Sequence, residues 1–123
     1  MTPIPAEISL HPVVRAAVEA LGRGDRAAWA ALFEPDALLF DDDQPRDLAQ
    51  FNAQALGHER FTGIDRVSAD GLLILGTFHA GGWGELKAYF RFRLSAAGRI
   101  QRLDIGQARW WGHRAAAGIT IEP

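Results

Sequence analysis

Few residues in this sequence are suited to chemistry. Asp41, Asp42 and Asp43 follow the apolar run Ala37 to Phe40, and His58 and His79 stand near expected strand ends. A carboxylate drawn in among apolar side chains has its charged form penalised, so its pKa rises towards neutrality and it can shuttle protons. Such a group typically contributes about 10²–10⁴ in rate. The same three aspartates on the surface would be a solvated acidic turn, and the sequence leaves both readings open. His79 precedes the loop Ala80 to Gly84, where an imidazole can serve as an acid or as a donor to a developing oxyanion. His58 follows Gly57 and is read as covering a helix end.

Other chemistry is weaker or excluded. Trp83 and Tyr89 sit where they could gate a pocket, although aromatic residues at hairpins more often provide packing. Gln107 is the one polar member of an apolar row on the last strand, suited to a ligand or to a neighbouring backbone group. Arg91, Arg93, Arg102 and Lys87 suggest a phosphate site, but alternation puts them opposite the phenylalanines, where pairing with Glu85 and Asp104 is expected. Gly22-Arg23-Gly24-Asp25-Arg26-Ala27 spells a dinucleotide pattern but follows a helix rather than a strand, so it is set aside. The His and carboxylate spacing predicts no metal, and nothing calls for another cofactor.

These residues must be positioned by two different kinds of structure. His11-Pro12 opens a helix with Val14, Ala17, Val18 and Leu21 on one face and Gly22 as its expected cap. Asp25 caps a second helix in which Trp29, Leu32 and Phe33 face inward until Pro35 stops it. A short strand over 37–40 and a turn follow, since Pro45 forbids a long central strand. Asp47 with Gln50 resembles a capping box for a third helix carrying Leu48, Phe51, Ala55 and Leu56, closed by Gly57. After His58 the pattern alternates, and turns at Asp70-Gly71, Gly81 to Gly84 and Ala97-Gly98 divide the remainder into four antiparallel strands. Leu86, Ala88, Phe90, Phe92 and Leu94 share one face of the third of these, and Glu85, Lys87, Tyr89, Arg91 and Arg93 the other. Three helices segregated to one face of an antiparallel sheet make an α+β fold.

The 123 residues fit one domain, with 1–11 an irregular lead and 109–123 a C-terminal extension. At 48% hydrophobic and 23% charged residues the chain is globular. A net charge of −2 argues against nucleic acid as a partner. The absence of cysteine excludes disulfides and thiolate chemistry, and no stretch reads as a signal peptide or membrane span, so the cytoplasm is the expected location.

Four local features carry a family resemblance: Gly24-Asp25 before the second helix, the passage FEPDA over Phe33 to Ala37, the step from Phe40 to Asp41, and Gly98-Arg99-Ile100-Gln101 opening the last strand. In order and spacing the chain resembles the nuclear transport factor 2-like superfamily over about Val13 to Trp110. That superfamily includes SnoaL-like polyketide cyclases, ketosteroid isomerases, scytalone dehydratases and limonene epoxide hydrolases. The resemblance implies three helices on a curved sheet that forms a cone with a cystatin-like fold, and this fold hosts many functions. It places the isomerases' general-base aspartate on Asp41, their oxyanion-hole tyrosine on Ala17 and their protonated pocket acid on Phe90. With both donors replaced, steroid isomerisation by that mechanism is not expected. The triad of the epoxide hydrolases and the paired histidines of the dehydratases are not evident either.

The resemblance thus implies a cone pocket for a small apolar carbonyl or ring compound. Asp41 and His79 would be its catalytic residues, with Trp83, Phe90, Phe92, Leu103, Ile105 and Gln107 around the substrate. Proton transfer in isomerisation, cyclisation or hydration is the expected chemistry. The alternative is a non-catalytic module of the same fold that binds a ligand passively or homodimerises. The outer sheet face, through Tyr89, Arg91 and Arg102, is the expected dimer surface. Trp110 and Trp111 would cover the cone or pack on a partner.

Overall fold

The computed structural model describes residues 9–108. Helix α1 spans Pro12–Arg23, with proline at its first position and the His11 Nδ1 accepting the Val13 N–H at 3.1 Å. It ends at Gly24, φ 71°, and not at the Gly22 expected from the sequence. The reason is tertiary. A Cβ on Gly24 would stand 2.9 Å from the Cα of Gly57, so the chain after α1 passes too close to the chain after α3 for a side chain. Helix α2, Arg26–Ala31, is capped by Asp25, whose carboxylate accepts the Ala28 N–H at 3.0 Å.

Strand β1 spans Phe33–Asp41, longer than the expected 37–40, and Phe33 and Pro35 belong to it rather than to the end of α2. Pro35 is tolerated because the pairing of β1 shifts register between Phe33 and Leu38, where a ladder N–H is not needed. Asp42 and Asp43 then adopt φ 49° and 68°, a two-residue turn of the kind that matches strand twist, leading into β2, Gln44–Arg46. Pro45 lies in that three-residue strand at the sheet edge. Helix α3, Leu48–Ala55, begins at Asp47, which accepts the Gln50 N–H at 3.1 Å. The Trp29 indole donates to Asn52 Oδ1 at 2.8 Å and packs 4.9 Å from the Phe33 ring, tying α2 to α3 and β1.

Strands β3 (Glu59–Val67), β4 (Leu73–Ala80), β5 (Glu85–Leu94) and β6 (Ile100–Gln107) form the expected antiparallel meander. The sheet as a whole is mixed, however, in the order β2-β1-β6-β5-β4-β3, because β1 pairs parallel with β6. Pairing between strands so distant in the chain leaves no mark on local periodicity. Three helices on this six-stranded sheet make the expected α+β fold, with β1 and β2 coming between α2 and α3 in the chain. Among the described residues no helix is long and apolar enough to cross a membrane.

Alternation on β5 holds for Ala88, Phe90 and Phe92, which are buried, and for Lys87, Arg91 and Arg93, which are exposed. Tyr89 departs from it. It lies on the outer face, yet it is buried with Leu73, Leu75 and Ala108. Its ring lies across Gly106, where a Cβ would meet Tyr89 Cε1 at 2.7 Å. Burial and the nearby Asp42 push the Tyr89 hydroxyl up to about 12, so it stays neutral. The outer face is therefore not uniformly wet, and Tyr89 is not free to contact a partner as expected. Arg102 is also engaged within the chain: it donates to both Asp104 oxygens at 2.9 and 2.8 Å and stacks 3.9 Å from the Phe40 ring centroid.

Candidate functional site

The concave side of the sheet is divided along its length. At one end Phe92 and Leu103, facing each other across β5 and β6, are closed into the core. One step along, Phe61, Phe78 and Phe90 form a triangle with centroids 4.9 to 5.2 Å apart, two of its contacts being edge-on. Beyond them the helices and sheet diverge around a cavity of about 570 Å³, large enough for a drug-sized molecule. Its floor is apolar, with Phe51, Phe78, Ala88, Phe90 and Ile105. Its mouth is polar, with Asp41, Asp42, Arg46, Gln54, Glu59, Glu85 and Gln107.

Asp41 reaches this mouth because β1 pairs Leu39 with Leu103 and Asp41 with Ile105, so the residue following the buried Leu39 on that face lines the cavity. Its carboxylate is engaged by Arg46, whose Nη1 donates to Oδ2 at 2.7 Å. The tight turn sets up this pair, since β1 and β2 diverge from Asp42 and Asp43 with Asp41 and Arg46 on the same face. Arg46 also donates from Nη2 to Gln54 Oε1 at 2.9 Å, and its guanidinium carbon lies 5.1 Å from the Phe51 ring centroid. Two residues of α3 and one of β1 thus hold a single cation in place.

The mouth contains a carboxylate that the sequence did not single out. Glu59 begins β3 and pairs with Ala80, as Phe61 pairs with Phe78, so its side chain lies on the concave face. Burial raises its carboxyl above the ordinary glutamate value. Arg46, the largest of the charge effects on it, opposes that rise, Asp41 reinforces it, and His58 and His79 oppose it. The available signal was parity: Glu59 stands two residues before Phe61 on an alternating strand. Arg46 and Gln54 have no such signal, because a residue before a helix cap and another on its last turn carry no periodic signature.

The remaining expectations divide. Phe90, Ile105 and Gln107 line the cavity. Phe92 and Leu103 do not; they share the face but sit deeper, where side chains close the space. His79 is not among the lining residues, because it alternates with Phe78 and Ala80, which are, and its strand partners are Arg60 and Glu85. The backbone at Trp83 belongs to the turn Gly81–Trp83, while its side chain, like Trp110 and Trp111, lies outside what the structure describes. Ala17 is fully buried and Phe90 lines the floor, so neither position offers a donor to an oxyanion. Among the described residues no group of three His, Asp or Glu is arranged to hold a metal.

No protein-family model and no curated protein matches the chain. Its likeness to solved structures is clear. A candidate polyketide cyclase from Sinorhizobium meliloti superposes with a TM-score of 0.59 at 20% identity, over 78% of this chain and 94% of that one. A nuclear transport factor 2-like protein of unknown function from Cytophaga hutchinsonii gives 0.65 at 12% identity, over 83% and 92%. The orange carotenoid protein of Anabaena (Nostoc), in a structure binding canthaxanthin, gives 0.65 at 18% identity over 85% of this chain. The present chain spans 38% of that protein's length. Helices, mixed sheet and structural neighbours agree that the chain has the cystatin-like fold of nuclear transport factor 2-like proteins.

Proposed function

We propose that the chain binds a small, largely apolar ring or carbonyl compound in the cavity and moves a proton on it, as isomerisation, cyclisation or hydration requires. The observation that carries this reading is the division of the cavity into an apolar floor and a mouth holding all its charged and amide groups. A ring would rest on Phe78, Ala88 and Phe90, with its polar end towards Arg46 and the carboxylates. The resemblance to SnoaL-like cyclases and ketosteroid isomerases points to Asp41 as the base. A neighbour of the same fold that binds canthaxanthin supports an apolar ligand.

A second reading, passive binding, is favoured by one observation: Ala17 and Phe90 leave the interior without the oxyanion donors that the isomerases use. Both readings require the cavity to be the binding site. Ala88→Trp would fill it from the floor. A ring ketone at about 100 times its Kd should stabilise the native protein by about 2.7 kcal/mol, a shift of several degrees in Tm, and leave Ala88→Trp unmoved. Equal shifts in both proteins would rule out the cavity.

A further inference from the structure

Two carboxylates line the cavity mouth with different commitments. Asp41 is held by Arg46 at 2.7 Å, and Arg46 is held in turn by Gln54 and by the face of Phe51. Glu59 shares the mouth, enters it from β3 on the far side of the sheet, and among the described residues its carboxyl accepts no hydrogen bond. A base that already accepts a charge-assisted hydrogen bond must give it up before it can take a proton, whereas an uncommitted one need not.

We propose that Glu59 is the catalytic residue that exchanges a proton with the bound molecule, that Arg46 receives its carbonyl oxygen, and that Asp41 is a positioning residue holding Arg46. This rests on the proton-transfer reading above and names a different base within it. The substrate class is a cyclic ketone with an ionisable C–H beside the carbonyl. The Glu59 carboxylate takes the α-proton, breaking C–H and forming O–H. The electron pair forms the C=C bond, and the carbonyl π electrons move onto the oxygen facing Arg46. Return of the proton from Glu59 to the same or another carbon regenerates the carboxylate, and no other reactant is consumed. Of the five N–H donors of a guanidinium, one serves Asp41 and one Gln54, which leaves donors for the developing oxyanion.

The surroundings of Glu59 suit the role. Burial favours its protonated form, Asp41 from β1 adds to that, and Arg46 from β2, the adjacent His58 and His79 from β4 act against it. Glu85, at the start of β5, lines the same cavity. The result is a carboxyl raised above its ordinary value, so that its ionised form is a stronger base than an exposed glutamate.

The test is exchange of the α-hydrogens of 2-tetralone for deuterium in D₂O, followed by NMR on the full chain, with binding measured separately by calorimetry. The native protein is expected to bind the ketone and exchange it faster than buffer. Glu59→Gln should lose at least about tenfold of the protein-catalysed rate with Kd unchanged, and Glu59→Asp should retain an intermediate rate. Asp41→Asn, which loosens Arg46, should lose a smaller part of the rate than Glu59→Gln and move the inflection of the pH–rate profile to lower pH, a displacement that a merely structural role would not produce. Full exchange by Glu59→Gln together with loss in Asp41→Asn would overturn the assignment and leave the proton-transfer reading standing. A native protein that does not bind the ketone, or binds it without exchange, would overturn both.

Discussion

The floor and the mouth of the cavity are built on opposite terms. Apart from Phe51 of α3, floor residues come from the consecutive, mutually paired strands β4, β5 and β6, and each is fixed by the alternation that also buries it: Phe78 on β4, Ala88 and Phe90 on β5, and Ile105 opposite Phe90 on β6. Mouth residues come from β1 and the turn after it, β2, α3, β3 and the ends of β5 and β6, and their causes are local: a two-residue turn for Asp41 and Arg46, a last helical turn for Gln54, a strand start for Glu59 and Glu85, a strand end for Gln107. Energetically the floor is a core and the mouth is a surface. The floor should therefore carry stability and the mouth chemistry, which variants can separate.

The largest effect is expected below the floor. Phe92 is 2% exposed and touches the aromatic cluster with its centroid 6.2 Å from Phe90, so Phe92→Ala should cost about 3–5 kcal/mol in chemical denaturation. A loss under about 1 kcal/mol would mean that this end is as open as the mouth, and the comparison would fail. Arg46→Met comes next. Its ion pair with Asp41 is roughly one-third exposed on both sides, so global stability should change by only about 0–1 kcal/mol. Ketone exchange should nevertheless be lost, and a large destabilisation without functional loss would make the mouth structural. The smallest effect is electrostatic. Because folding raises the Glu59 carboxyl, its ionisation opposes folding above its folded pKa, and the opposition vanishes below the unfolded value near 4.5. Glu59→Gln should raise Tm slightly at pH 7 and leave it unchanged at pH 4, as thermal melts at the two values would show.

Much of the sheet was legible because a strand with one buried face repeats every two residues. Phe90, Ile105 and Gln107 could be assigned to the cavity side from that period, and Asp25 and Asp47 could be recognised as caps because the reason for a cap lies within four residues. His79 was placed by the glycine loop that follows it, a signal that carries no information about which face of β4 it occupies between Phe78 and Ala80. The same period failed at Tyr89. A buried residue on an outer face depends on what packs beside it, here Leu73, Leu75 and Ala108, and on the glycine at 106 that leaves room for its ring.

By itself the sequence determined the helices before residue 58, the four-strand meander after it and the inward row of phenylalanines, because each follows from interactions between near neighbours in the chain. Only the tertiary structure decided that β1 lies parallel to β6, that α1 ends at Gly24 where Gly57 crosses it, and that Asp41 is held by Arg46 while Glu59 accepts no hydrogen bond among the described residues. Those outcomes depend on which distant segments meet. The energies that select them, desolvation, pairing of charge and close packing, exist only once the chain has closed on itself.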